Sequence, residues 1–433
     1  ARALSSDSAR FLGRPGFGLS HFWAFATIAR MKPEPAAAQA YLYGFPLLLM
    51  DAAARRGTGS EGAIFNRFAH CFDLAETSLR GIVLPNRDLA CSVAWLDLRP
   101  APVILTSLPT DSYYVMTLID AWSNVFATLG TRASGNAEHR FAIVGPNWTG
   151  SIPSNCTRVN APTNLVCLVV QTSIEELSPA LDLATLDQRY RLEPTGSETP
   201  RREPAPVLSD VDALSAEEAF SRIRDLMIDN PATRADGSAV EALDALRGHE
   251  AREATANAVA HARRQIDDVA DTQQDGWAIN ADPGNYGTDY LLRARGARYN
   301  FLASAVHDVL CAQARFDTDQ LRLTGRNNYL LHFDPWDEPP ARAFWSLCAF
   351  DDEHRFTVEA SAPATIDSRE PLARRSNRSL DLHLAYGEPI GDCVQNWLGC
   401  PKSEFTLALR LYWPRPSALS GVWMPPNIAA LSR

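Results

Sequence analysis

Between Leu84 and Leu168 the chain runs as short β-rich stretches broken by turn signals, with no segment long enough for a crossover helix. The breaks are Leu84-Pro85-Asn86, Leu108-Pro109-Thr110-Asp111, Ser134-Gly135-Asn136 and Gly145-Pro146-Asn147. Parallel strands need a crossover connection of about a dozen or more residues, usually helical, so this pitch excludes a dinucleotide-type sheet and leaves an antiparallel sandwich or barrel. A second β region is expected from Tyr329 to Tyr412. Its clearest alternation is Phe405-Thr406-Leu407-Ala408-Leu409-Arg410-Leu411-Tyr412.

Helical patterns flank and separate these regions. Ala36 to Arg56 places Tyr41, Phe45 and Leu48 on one face, and Pro46 is expected to end or kink that helix, because proline lacks the N–H and crowds the preceding turn. Pro194 to Pro206 has the composition of an exposed connection. Ser215 followed by Glu218 is a capping-box pattern opening a helix to about Ile228; Ala239 to Asp271 continues at helical period, and a further helix is expected from Asp289 to Cys311. The chain, 433 residues long, therefore divides into an extension or targeting segment (1–35), an N-terminal helix and β-sandwich (36–190), a linker (191–212), a helical insert (213–325) and a C-terminal β-sandwich (326–433). The fold class is mainly β with a helical insert.

Several separated strings together resemble a family whose members carry two successive domains of unknown function, found in bacteria and some large viruses. In the first half they are Ala40-Tyr41-Leu42-Tyr43-Gly44-Phe45-Pro46, Val83-Leu84-Pro85-Asn86-Arg87-Asp88, Ala94-Trp95-Leu96-Asp97, Asp120-Ala121-Trp122-Ser123-Asn124-Val125-Phe126, Gly130-Thr131-Arg132 and Gly145-Pro146-Asn147-Trp148. The second half adds Tyr286-Gly287, Asp289-Tyr290, Arg293-Ala294, Ala343-Phe344-Trp345-Ser346, Asn396-Trp397-Leu398, Arg410-Leu411-Tyr412-Trp413-Pro414 and Gly421-Val422-Trp423-Met424-Pro425-Pro426. The resemblance implies two jelly-roll-like β domains and, in many bacterial members, an exported or membrane-surface location; it implies no activity. The chain departs from the family pattern at Leu89-Ala90-Cys91 and within Leu347-Cys348-Ala349-Phe350, where a threonine and an aromatic residue are usual.

Composition removes several function classes. A net charge of −10 argues against nucleic acid, whose phosphates demand a basic stripe. All but two of the 41 basic residues are arginine, and neither Lys32 nor Lys402 follows a Gly-rich loop or sits in an apolar stretch, so a P-loop and Schiff-base chemistry are both excluded. No G-x-S-x-G elbow is present. The nine histidines are scattered without metal-ligand spacing, which leaves a site assembled from His and Asp of different strands open and any cofactor unknown, and the eight cysteines show neither a zinc pattern nor a small disulfide scaffold. No apolar run reaches the ~18 residues of a membrane span. Residues 1–30 carry Arg2, Arg10, Arg14, Arg30 and several serines, which reads equally as a targeting segment of an exported or organelle-targeted soluble protein or as an upstream extension.

Three constellations could carry chemistry. Strand periodicity would put Tyr114, Met116, Leu118, Asp120, Trp122, Asn124 and Phe126 on one face, where Asp120 and Asn124 need partners, with Arg132 a candidate; this is either a buried Asp–Arg pair closing the sandwich end or a ligand site. Asp88 and Asp97, near Asn86 and Arg87 and flanking Trp95, could work as an acid–base pair, though an Asx turn also explains Asn86. Tyr290 and Arg293 lie where a loop enters a helix, with Asp289 four residues before Arg293 and so placed either to brace the helix or to line an interdomain pocket. The strings Phe344-Trp345, Asn396-Trp397, Tyr412-Trp413-Pro414 and Trp423 read as packing or as exposed stacking platforms.

Three readings follow. The first is binding of a glycan-like or other small polar–apolar ligand through Tyr114, Trp122, Asn124, Arg132, Tyr290 and Arg293. The second is hydrolytic or eliminating chemistry through Asp88, Asp97 or Asp120. The third is a structural role in an oligomer or larger assembly.

Overall fold

The computed structural model describes residues 33–57, 65–71, 86–173, 183–196, 210–268, 276–279, 283–353, 355–356, 362–389 and 391–431. Residues 1–30 and most of the Pro194–Pro206 connection lie outside them.

The N-terminal β unit is made of β1 (Phe68–Cys71), β2 (Leu89–Asp97), β3 (Val103–Ser107), β4 (Tyr114–Asp120), β5 (Val125–Gly130), β6 (His139–Val144), β7 (Thr157–Asn160), β8 (Leu165–Ser173) and β9 (Tyr190–Pro194). One sheet has the order β1-β2-β8-β4-β5 and the facing one β7-β6-β3-β9. All pairs are antiparallel except β6–β7. Between them lie Ala94, Leu96, Met116, Leu118 and Leu168 from the first sheet and Val103, Leu105, Phe141 and Ile143 from the second. The C-terminal unit repeats the plan. Its strands are β10 (Trp277–Ile279), β11 (Val309–Ala314), β12 (Tyr329–Phe333), β13 (Ala341–Phe350), β14 (Thr365–Asp367), β15 (Leu380–Ala385), β16 (Trp397–Gly399), β17 (Thr406–Pro414) and β18 (Ile428–Ala430). Sheets of order β10-β11-β17-β13-β14 and β16-β15-β12-β18 enclose Trp345, Leu347, Leu407, Leu409, Leu331 and Leu382.

The helices are α1 (Pro33–Gly57), α2 (Leu183–Arg189), α3 (Asp210–Ala213), α4 (Ala216–Asp229), α5 (Gly237–Ala245), α6 (Glu253–Asp267), α7 (Tyr290–Tyr299) and α8 (Pro416–Leu419). The capping box forms as expected, Ser215 accepting from the Glu218 N–H while Glu218 reaches back to the Ser215 backbone. Where one helix was expected over Ala239–Asp271 there are two, separated by a segment in which Gly248 takes φ +78°. The helix expected over Asp289–Cys311 stops at Tyr299, and Val309–Ala314 is instead β11, paired along its length with β17. Helix α1 does not end at Pro46. It is buried nearly all round, because α4, α5, α6 and α7 pack about it, and that burial outweighs one lost hydrogen bond.

These helices cover the outer face of the β1-β2-β8-β4-β5 sheet. Val93, Trp95, Ile119, Leu165, Cys167 and Val169 share one core with α1 and α4–α7, so β2 and β4 are buried on both faces. No helix among the described residues is long and apolar enough to cross a membrane.

Candidate functional site

Strand alternation along β4 holds only as far as Asp120. There the chain reverses: the Ser123 N–H bonds the Asp120 carbonyl, Ser123 takes φ +66°, and Asp120 Oδ1 accepts from the Trp122 and Asn124 N–H groups, each at 2.9 Å. This Asx-type turn swings Trp122 out of the strand's register. Tyr114, Met116 and Leu118 therefore face the sandwich core, whereas Trp122 lies in the helical layer, and the single mixed face expected from the sequence does not exist.

In that layer Trp122 meets three other segments. Tyr43 of α1 stacks on it with ring centroids 4.4 Å apart, and Tyr290 of α7 meets Tyr43 edge-on at 5.3 Å. Arg293, one turn after Tyr290, enters the same space. Its guanidinium carbon lies 5.2, 5.7 and 5.1 Å from the Tyr43, Trp122 and Tyr290 rings, a distance at which a desolvated cation gains about 2 kcal/mol. The expected Asp289–Arg293 brace is absent because Asp289 is the N-cap of α7, accepting from the Leu292 N–H at 2.9 Å, while Arg293 turns inward toward Asp236.

Arg293 is 2% exposed, and Asp236, also 2% exposed, lies 3.7 Å from its Nη2, too far for a hydrogen bond. Asp236 spends its Oδ2 on Thr233, accepting from that residue's N–H and hydroxyl. Arg293 Nε and Nη2, together with the Tyr43 hydroxyl, are buried without a hydrogen-bond partner. Asp120 is the second carboxylate near Arg293; burial pushes its pKa up to about 6 against the opposing pull of its bonds to Asn124 and Trp122 and of Arg293. Burial, with Asp236 next, also raises the Tyr43 phenol, so it stays protonated.

The other sequence candidates lie elsewhere. Arg132, expected beside Asp120, instead pairs with Asp308 through Nε at 2.6 Å and Nη2 at 2.9 Å, tying the β5 end to the segment before β11. The Tyr114 hydroxyl donates to the Gly135 carbonyl. Asp88 and Asp97 sit at opposite ends of β2, about 30 Å apart at the strand rise, and so do not form a pair. Asp97 is taken up by Arg99. Asp88 lies between the two β units, accepting from Ser346 Oγ and from the Tyr412 hydroxyl at 2.8 Å, on the outer face of β13 and β17. Arg410 is buried beside them and donates to Cys348 Sγ at 3.2 Å; burial nonetheless pushes the Cys348 thiol up to about 11, which keeps it from acting as a thiolate nucleophile. Leu89, Tyr113, Phe344 and Tyr412 complete this contact between the units. Among the described residues no three His, Cys, Asp or Glu side chains are grouped to hold a metal ion.

Residues 65–194 match the family model described as protein of unknown function DUF1254, and residues 308–416 match that of DUF1214. The chain carries the two domains of unknown function in tandem. The two matches cover most of both β units; α1 precedes the first, and α3 to α7 lie between the two. No curated protein matches the chain in sequence. Among solved structures, the VPA0106 protein from Vibrio parahaemolyticus is similar over 93% of this chain and 100% of its own, with 17% identity and a TM-score of 0.71. A putative uncharacterized protein from Burkholderia cenocepacia aligns over 92% and 93%, at 11% identity and a TM-score of 0.46. The likeness to the Vibrio structure takes in the helical layer as well as the two β units, so the fold is shared over that whole span. Three of the strings that carried the resemblance, around Tyr43, Asp120–Asn124 and Tyr290–Arg293, meet at the guanidinium site; those around Asp88, Ser346 and Tyr412 meet at the contact between the β units.

Proposed function

We propose that this protein binds a small, uncharged molecule with an apolar body and an acceptor oxygen, seated against Arg293, Tyr43, Trp122 and Tyr290. The observation that carries the reading is the pair of buried Arg293 N–H groups, Nε and Nη2, left without partners inside a ring of three aromatic side chains. An unpaired buried donor on a charged group costs at least about 1–3 kcal/mol, which an acceptor from a ligand would recover. Two carboxylates already face Arg293, so the charge itself is met and a neutral oxygen suits the vacancy in its hydrogen bonding better than an anion. Asp120 and Asn124 brace Trp122 in this reading, and Tyr114 and Arg132 take no part.

Hydrolysis is less well supported. Asp120 Oδ1 is engaged by two backbone donors, and Asp88 and Asp97 are too far apart to act together. The test is a thermal-shift series on wild type and Tyr43→Phe with short linear and cyclic ethers, small alcohols and monosaccharides. Saturating ligand stabilises by RT ln(1 + [L]/Kd). A shift in wild type that shrinks in Tyr43→Phe is the expected result; no shift from any of them, or one equal in both proteins, would count against it.

A further inference from the structure

The strings expected to be packing or platforms are nearly all inside: Phe344, Trp345, Trp397, Tyr412 and Trp423 are buried. Among the described residues the exposed tryptophan lies outside those strings. Trp336 is 80% exposed and lies in the turn Asp334-Pro335-Trp336-Asp337, closed by an Asp337 N–H bond to the Asp334 carbonyl at 3.0 Å. Proline stands at the second position of this turn, and the third has φ +70°, a place ordinarily given to glycine. A bulky aromatic side chain held at a glycine position and left in solvent gains nothing from burial and strains the backbone. Strain of this kind persists at sites where it serves a function.

What surrounds Trp336 is polar and already ordered. Arg378, also at positive φ, lays its guanidinium 4.8 Å from the indole centroid. The same turn, closed by the Arg378 N–H to the Arg375 carbonyl, sends Arg375 onto Asp381, with Nε to Oδ2 at 2.6 Å. His332 Nδ1 bonds the other Asp381 oxygen at 2.5 Å, and Arg374 clamps Glu338 just past the tryptophan. His332 and Asp381 are direct partners across β12 and β15. The surface thus joins an exposed indole, with Arg378 over one face, to a row of arginine–carboxylate pairs that offer donors and acceptors side by side.

We infer that this surface of the C-terminal unit is a saccharide-binding site, with Trp336 stacking on the C–H face of a neutral pyranose while the Arg375–Asp381–His332 group meets its hydroxyls. The electronegative face of an indole attracts the polarised C–H bonds of a sugar, and vicinal hydroxyls need a donor and an acceptor together. The nearby side chains carry acidic Asp334, Asp337, Glu338 and Asp381 against Arg374, Arg375 and Arg378, which disfavours an anionic glycan. This site is separate from the one around Arg293.

Affinity electrophoresis of the full chain through gels containing β-glucan, xylan, mannan or glycol chitin, with alginate and polygalacturonate as acidic counterparts, tests the inference. Retardation by at least one neutral polysaccharide is expected. It should weaken at least tenfold in Trp336→Ala and persist in Trp336→Tyr. No retardation in any neutral gel, equal retardation of Trp336→Ala, or retardation confined to the acidic gels would overturn it.

Discussion

At the residue scale, polar atoms buried without partners set the energetics of the helical layer. The Tyr43 hydroxyl bonds nothing in the protein, so Tyr43→Phe should leave the free protein within about 0.5 kcal/mol of wild type or slightly more stable, since removing an unsatisfied group removes its desolvation penalty. Urea unfolding measures this. Asp120 gives a pH dependence with a defined sign. Its carboxyl holds a proton up to about pH 6 when folded, against 3.8 in the unfolded chain, so the folded state binds more protons between those values. This group's contribution is therefore greatest below about pH 4 and is lost as pH rises to 6. The stability difference between wild type and Asp120→Asn should shift toward the variant by a few kcal/mol across that window, and a flat difference would show that Asp120 is not buried as described. Trp336→Gly should raise stability by about 1 kcal/mol through relief of positive-φ strain, seen as a higher Tm. Sequence reasoning named Trp122, Tyr290 and Arg293 but attached them to different constellations. Tyr43 and Asp236 escaped it, because Tyr43 reads as one more apolar position of α1 and Asp236 as a surface turn residue.

Local signals decided the elements where capping and alternation were strong. The Ser215–Glu218 box, the β17 alternation and the antiparallel pitch of the first β unit all appear as the sequence reads. They failed where tertiary packing prevailed over local preference. α1 passes through Pro46 because four helices hold it, and β11 was read as helix because its apolar run is too short for period alone to distinguish the two. The face drawn from Tyr114 to Phe126 failed for a different reason: Asp120, read as a strand residue, builds the turn that ends the strand. The close approach of α4 to α1 gives this scale its own expectation. A Cβ on Gly44 would stand 2.2 Å from Ile223 Cδ1, so Gly44→Ala should destabilise by about 1–3 kcal/mol through overpacking, despite alanine's higher helix propensity, and denaturant midpoints would report it.

Across the whole molecule, two sandwiches and a helical layer are joined by polar contacts that the sequence showed only as isolated residues. Arg132 meets Asp308, the Tyr113 hydroxyl donates to the Asp308 carbonyl, Arg369 reaches Ser173, and Asp88 takes donors from Ser346 and Tyr412. These pairs are separated by well over a hundred residues, so no local pattern could reveal them. Asp308 is 2% exposed but Arg132 is 28% exposed, so removing the carboxylate leaves a guanidinium that water partly reaches. Asp308→Ala should cost about 1–2 kcal/mol, measurable by calorimetry. The Arg293 site draws Trp122 from within the first family match, Tyr43 from α1 before it, and Tyr290 and Arg293 from α7 between the two matches. The most direct measurement of the central claim is a high-resolution crystal structure of the protein soaked with a small cyclic ether. Ligand density is expected with its oxygen within hydrogen-bond distance of Arg293 Nε or Nη2 and its ring carbons against Tyr43 and Trp122. A site closed by direct hydrogen bonds donated by those nitrogens to Asp236, with no ligand density, would contradict it.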